Sequence, residues 1–177
     1  MTTVLWRFAR DCLLSGVQLQ RRHIPASSTS IHCSVEESVE HALLFCPFAR
    51  QVWDDFKKDY DIQLDRRSFK TTKLWLFHFL ARCSRTEAMV LAVTFWHVWD
   101  ERNKLREEGG SDHPSSTAAK IKAYVDMISM HLINQAPTID VRPCMQFHGL
   151  CRQKVCLWLM LMQLYLLLLN AWVLVLW

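Results

Sequence analysis

The stretch Cys33-Ser34-Val35-Glu36-Glu37-Ser38-Val39-Glu40-His41-Ala42-Leu43-Leu44-Phe45-Cys46-Pro47-Phe48-Ala49-Arg50-Gln51-Val52-Trp53 decides how the rest of the chain is read. Val39, Leu43, Cys46, Ala49, Val52, Trp53 and Phe56 recur at three- and four-residue steps. That spacing lays them on one face at 3.6 residues per turn and predicts an amphipathic helix over 36–58. Pro47 has no N–H to donate and crowds the turn before it, which predicts a kink or restart there. The same stretch holds Cys33, His41 and Cys46. Soft thiolates and a neutral imidazole are what a tetrahedral zinc site takes. His41 and Cys46 fall on roughly the same side of a helix, and Cys33 can fold back from the preceding loop. A structural site takes four ligands, commonly with a Cys-x-x-Cys knuckle. The position three before Cys33 is Ser30, a poor zinc ligand. Spacing alone leaves a second reading open, in which Cys46 is a core thiol and His41 a satisfied helix side chain.

Working outward, 4–22 reads as a helix or a pair of helical turns broken at Ser15-Gly16. The polar run 25–32 is a loop and 59–71 a charged connector. A short aromatic helix follows at about 72–82, with Leu74, Trp75, Phe77, Phe79 and Leu80. Ser84-Arg85-Thr86-Glu87 matches a capping box, so a helix starts there. It is expected to run to about Glu108 and stop at Gly109-Gly110, where the backbone can turn left-handed without steric cost. Ser115 or Ser116 is expected to cap a last helix to about Asn134, with Ile121, Val125, Ile128 and Leu132 facing inward. No strand-like alternation of useful length is visible, and 136–154 is irregular.

The chain has 177 residues, 51% apolar and 21% charged, which excludes a wholly disordered chain. With 4 Gly and 5 Pro, it is too poor in turn residues for a sandwich or barrel of short strands. Its 7 cysteines are an odd count with no secretory signal in Met1–Phe8, which favours reduced thiols or metal ligands over a disulfide framework. The formal net charge of +4 permits contact with nucleic acid without requiring it. Arg7, Arg10, Arg21 and Arg22 crowd the amino end; from the residues alone a solvated helix face is the favoured account of them.

Three groups of residues carry a resemblance. Glu37-Ser38-Val39-Glu40-His41 is followed by Cys46-Pro47-Phe48-Ala49-Arg50 and then Val52-Trp53. Upstream stand Trp6-Arg7, Leu13-Leu14-Ser15-Gly16 and Arg21-Arg22-His23-Ile24. Together they resemble the zinc-binding domain of plant non-LTR retrotransposon reverse transcriptases, over about residues 5–57. The resemblance implies zinc as cofactor, Cys33, His41 and Cys46 as ligands, and water or His32 as a substitute fourth. Ser30 stands where the family carries its first knuckle cysteine, so weak zinc binding is expected. Leu14-Ser15 replaces the family's Pro-Thr. The resemblance also implies a nucleic-acid setting, with Arg7, Arg10, Arg21 and Arg22 near phosphates in a salt-dependent, sequence-blind contact. Trp96-His97-Val98-Trp99-Asp100-Glu101-Arg102-Asn103 is similar to a Trp-x-x-Trp-x-x-Arg-Asn segment that follows this domain in the same elements. Its tryptophans are expected to pack while Arg102 and Lys104 stay in water.

No Asp or Glu occurs after Asp140, so the carboxylates of a metal-dependent ribonuclease-H-like domain are missing. Val155–Trp177 carries no charged residue and exceeds the roughly 20 apolar residues that cross a bilayer. Arg152 and Lys154 flank its near side. Leu159–Gln163 can be encoded so that the frame one base back, after the final G of the Trp158 codon, reads Val-Asp-Ala-Asp-Ala. This resembles the opening of the family's ribonuclease-H domain and makes the tail a candidate frameshift product.

The expected fold is all-α: a zinc-binding module at 1–58, a helical region at 59–135, an irregular linker at 136–154 and an apolar tail at 155–177. The expected function is that of a non-catalytic remnant of a retrotransposon polyprotein. The alternative is a small tail-anchored membrane protein with a helical protein-interaction domain. An enzyme with Cys33 or Cys46 as nucleophile and His41 as base lacks a visible orienting group or oxyanion hole.

Overall fold

The computed structural model describes residues 2–60, 62, 64 and 70–134. The irregular stretch expected at 136–154 and the apolar helix expected at 155–177 lie outside the described residues. Among the described residues there is no strand, and no helix is long and apolar enough to cross a membrane. The order is α1 (Thr2–Ala9), α2 (Gly16–Arg21), a π-helical turn (His41–Phe45), α3 (Pro47–Tyr60), α4 (Thr72–Leu80), α5 (Arg85–Glu108) and α6 (Pro114–Asn134).

The helix α5 is the axis of the fold. Ser84 and Glu87 form the expected capping box: Glu87 N donates to Ser84 Oγ, and Ser84 N donates to the Glu87 carboxylate at 2.6 Å. The helix stops at Gly109, whose φ of 72° is the left-handed conformation that glycine adopts freely. Buried residues run along α5 from Ala88 to Arg102, because α1, α6 and the π-helical turn cover different sides of it. In turn α3 packs on α6 and on the π-helical turn, and α4 packs on α1.

Aromatic residues fill the centre. The Phe95 ring lies 4.8 Å from Phe8, 6.0 Å from Trp75 and 6.2 Å from Trp53. Burying an apolar side chain of this size contributes about 1.5–3 kcal/mol against leaving it in water. The core draws residues from α1 through to Ile128 of α6. It therefore crosses the boundary expected at residue 58, which falls inside α3.

The restart expected at Pro47 is present, so the 36–58 stretch forms two elements. Cys46, with ψ of 138°, leaves the π-helical turn, and Pro47 opens α3 at the first helical position, where a missing N–H costs nothing. Two local expectations are corrected. The last helix is not capped by Ser115 or Ser116. Pro114 opens it, and the His113 carbonyl accepts from the N–H groups of Ser116 and Thr117. Arg102 is not in water but buried, at 8% exposure.

Candidate metal centre

The centre is built from a loop and from the π-helical turn. Residues 29–36 double back on themselves. Ser30 N donates to the Val35 carbonyl at 2.7 Å, Ser34 N donates to the Ser30 carbonyl at 2.7 Å, and Thr29 bridges Glu36. Ser34 takes a φ of 59° to close this turn. The result presents Ser30 and Cys33 on one side of a tight knuckle. Facing them, Ser38 starts the π-helical turn: its Oγ accepts from His41 N at 3.0 Å and its carbonyl from Ala42 N. Cys46 N closes that turn on the His41 carbonyl at 2.7 Å, and the Cys46 carbonyl accepts the first bond of α3, from Arg50. The wider π-type ring brings Cys46 back over His41. Trp53 anchors the arrangement from α3: its Nε1 donates to the Leu43 carbonyl at 2.9 Å, and the ring is buried.

Cys33, His41 and Cys46 converge, their ligand atoms all within 4.8 Å of one another. Cys33 Sγ lies 3.1 Å from His41 Nε2. Zinc with bonds near 2.0 Å to nitrogen and 2.3 Å to sulfur would separate its ligand atoms by about 3.5–3.8 Å, so the three are spaced for one ion. Ser30 is buried, and its Oγ lies 3.7 Å from Cys46 Sγ. The serine hydroxyl thus lies beside one of the three donors. Burial lowers the pKa of His41 below its ordinary value; Glu37 opposes this and Arg50 adds to it. The ring therefore stays neutral, as a metal ligand must. Burial raises the pKa of Cys46, while hydrogen bonds from the Phe48 backbone and from Ser30 act the other way. The donor set fits zinc. His32, the other expected source of a fourth ligand, does not join the cluster. Its ring stacks on Phe48 at 4.4 Å, and its Nε2 is buried without a hydrogen-bond partner.

The four arginines expected near phosphates are exposed. Arg7 and the nearby Arg10 lie on and just beyond α1, and the Arg10 guanidinium lies 5.0 Å from the centre of the Trp6 ring. Arg21 ends α2, followed by Arg22.

Sequence reasoning missed Glu37. Its side chain is 1% exposed, and Oε1 accepts from Gly16 N at 2.9 Å, Arg102 Nε at 3.1 Å, Arg102 Nη2 and Arg106 Nη2 at 3.2 Å. Arg102 Nη2 also donates to the Leu14 carbonyl at 3.1 Å, and its guanidinium lies 4.6 Å from the centre of the Trp99 ring. The signal was present in two places: Glu37 heads the Glu37-Ser38-x-x-His41 segment, and Arg102 ends the Trp96-x-x-Trp99-x-x-Arg102 segment. Read apart, neither shows that it pairs with the other.

Residues 1–53 match the family described as zinc-binding in reverse transcriptase. The matched stretch contains α1, α2, the knuckle, the π-helical turn and the first half of α3. No curated protein and no solved structure matches the chain.

Proposed function

We propose that this chain is a non-catalytic derivative of a retrotransposon polyprotein whose amino-terminal module binds zinc through Cys33, His41 and Cys46. One coincidence carries the reading: the stretch that matches the reverse-transcriptase zinc-binding family is the stretch in which two thiols and an imidazole converge. The cluster also argues for a metal over a nucleophile–base pair. Cys33 and His41 alone would make such a pair, but the second thiol of Cys46 adds nothing to it and brings a metal's donor set to three. Zinc bound here has a structural role, tying the knuckle to the π-helical turn. Ser30 in the fourth position makes the binding weak, since a hydroxyl is a far poorer zinc donor than a thiolate. Arg7, Arg10, Arg21 and Arg22 supply a phosphate-facing surface whose contact with nucleic acid is sequence-blind and weakened by salt.

The test is cobalt(II) and zinc titration of the full chain, with Cys33→Ala, His41→Ala and Cys46→Ala alongside. One equivalent bound with thiolate-to-cobalt absorption, lost in each variant, is the expected result. Binding that survives loss of any two of these residues overturns the assignment.

A further inference from the structure

We infer that Glu37, Arg102 and Arg106 are positioning residues for the metal centre, so that the metal-binding unit extends from the amino-terminal module onto α5. The inference rests on the zinc reading above. The knuckle has few bonds of its own: the Thr29–Glu36 bridge, made by Ser30 N on the Val35 carbonyl and Glu37 N on the Ser28 carbonyl, and the bond from Ser34 N to the Ser30 carbonyl. Its approach is also held by α5. Arg106 Nη2 donates to the carbonyls of Ser27 and Thr29, both at 3.2 Å, and to Glu37 Oε1. Glu37 N donates to the Ser28 carbonyl at 2.8 Å. The carbonyls of Ser27 and Thr29 are therefore tied to Arg106, which pairs with the buried Glu37 carboxylate, and the Ser28 carbonyl between them is tied to the Glu37 backbone N–H. Arg102 locks the same carboxylate through two nitrogens and reaches the Leu14 carbonyl at the entry to α2.

The arginine contacts join residues 65 to 88 positions apart. They set where Ser30 and Cys33 stand relative to His41 and Cys46, which hang on a different element. A metal ion demands its donors within a few tenths of an ångström, so outer partners that orient the donors govern affinity; loss of such a partner typically costs 10- to 100-fold. Arginine suits the task because its planar fork can hold a carboxylate and backbone carbonyls at once. On this account the Trp-x-x-Trp-x-x-Arg segment of α5 is the buttress of the knuckle: Trp99 supports the Arg102 guanidinium, and Arg102 supports Glu37.

The experiment uses the full chain carrying Ser30→Cys, so that affinity is high enough to rank variants. Arg102→Ala, Arg106→Ala and Arg102→Lys are compared with Arg85→Ala, an exposed arginine at the start of the same helix. Cobalt affinity should fall at least tenfold in the two alanine variants of Arg102 and Arg106, with a shifted thiolate-to-cobalt band. Arg102→Lys should recover part of it, and Arg85→Ala should change nothing. Arg106→Ala leaves the Glu37–Arg102 pair in place, so it keeps the test available should Arg102→Ala not fold. In parallel, alkylation of Cys33 by iodoacetamide is followed in metal-free protein by peptide mass spectrometry. It should accelerate several-fold in Arg106→Ala while Cys83 and Cys12 keep their rates. If Arg106→Ala changes cobalt affinity less than twofold, or if all three cysteines accelerate together, the inference is overturned. Failure of every form to take up cobalt removes the zinc reading instead, and the Cys33 rates then decide on the buttress alone.

Discussion

Replacing Ser30 by cysteine should turn a weak three-ligand centre into a complete one. The side chain is buried, and its Oγ already lies 3.7 Å from Cys46 Sγ, close to the spacing of two ligands on one zinc ion. The substitution keeps the β-carbon and exchanges a single heavy atom, so the knuckle has no reason to move. Structural zinc supplies about 10–16 kcal/mol in four-ligand sites; shared among four donors, that is roughly 2.5–4 kcal/mol each. At 1.4 kcal/mol per tenfold, Ser30→Cys should tighten zinc binding by about two to three orders of magnitude. Ligand thiols must lose their protons on binding, so the variant should also release one more proton per ion and show a steeper pH dependence of Kd. Competition against a chromophoric chelator, run on both proteins between pH 6 and pH 8, measures both quantities. A gain below threefold, or an unchanged pH slope, would show that Ser30 does not stand at the fourth position and would refute the geometric argument.

Further outcomes follow from the same structure. Arg102→Ala strips a buried carboxylate of two of its donors and should lower unfolding free energy by about 3–5 kcal/mol; a denaturant midpoint within error of Arg85→Ala contradicts this. Gly16→Ala would place a β-carbon 2.7 Å from the Ser27 carbonyl oxygen and 2.8 Å from that of Ser28. Both atoms are backbone, so the loop must shift at a cost of about 1–3 kcal/mol, read as a lower thermal midpoint. His97 has its pKa lowered below 6.5, chiefly by burial, with Asp100 and Glu101 opposing. Below 6.5 the unfolded chain therefore binds more protons than the native one, and stability falls as the pH drops through 6.5 toward the depressed value. His97→Gln should flatten that acid slope in metal-free protein, and a slope identical to that of the parent would count against it.

Elements bounded by nearby residues were legible from the chain alone. Capping by Ser84 and Glu87 spans three positions, and the stop at Gly109 is the property of one residue, so α5 was readable without a neighbour. The alternation of Ile121, Val125 and Ile128 likewise marked the inward face of α6. Cys33, His41 and Cys46 were legible because ligand chemistry restricts the residue types and their spacing is short. The cap on α6 was misread because Ser115 and Ser116 are good cap residues on propensity, whereas Pro114 fixes the first helical position and makes His113 the cap, its Nδ1 accepting from Ser115 N.

What stayed hidden depended on distance along the chain. An arginine three positions after a tryptophan looks like a solvated helix residue until α5 is laid against the loop before Ser30. Only then do Arg102 and Arg106 meet Glu37, in a place where water is excluded and a charge must find a partner. The restart at Pro47 was legible from that residue alone, whereas the π-type turn before it was not. Most helix boundaries and the candidate donors Cys33, His41 and Cys46 were legible in the sequence itself, through short-range sterics, caps and ligand chemistry. The clasp around Glu37 was decided by tertiary packing, since pairings across 65 residues leave no local trace.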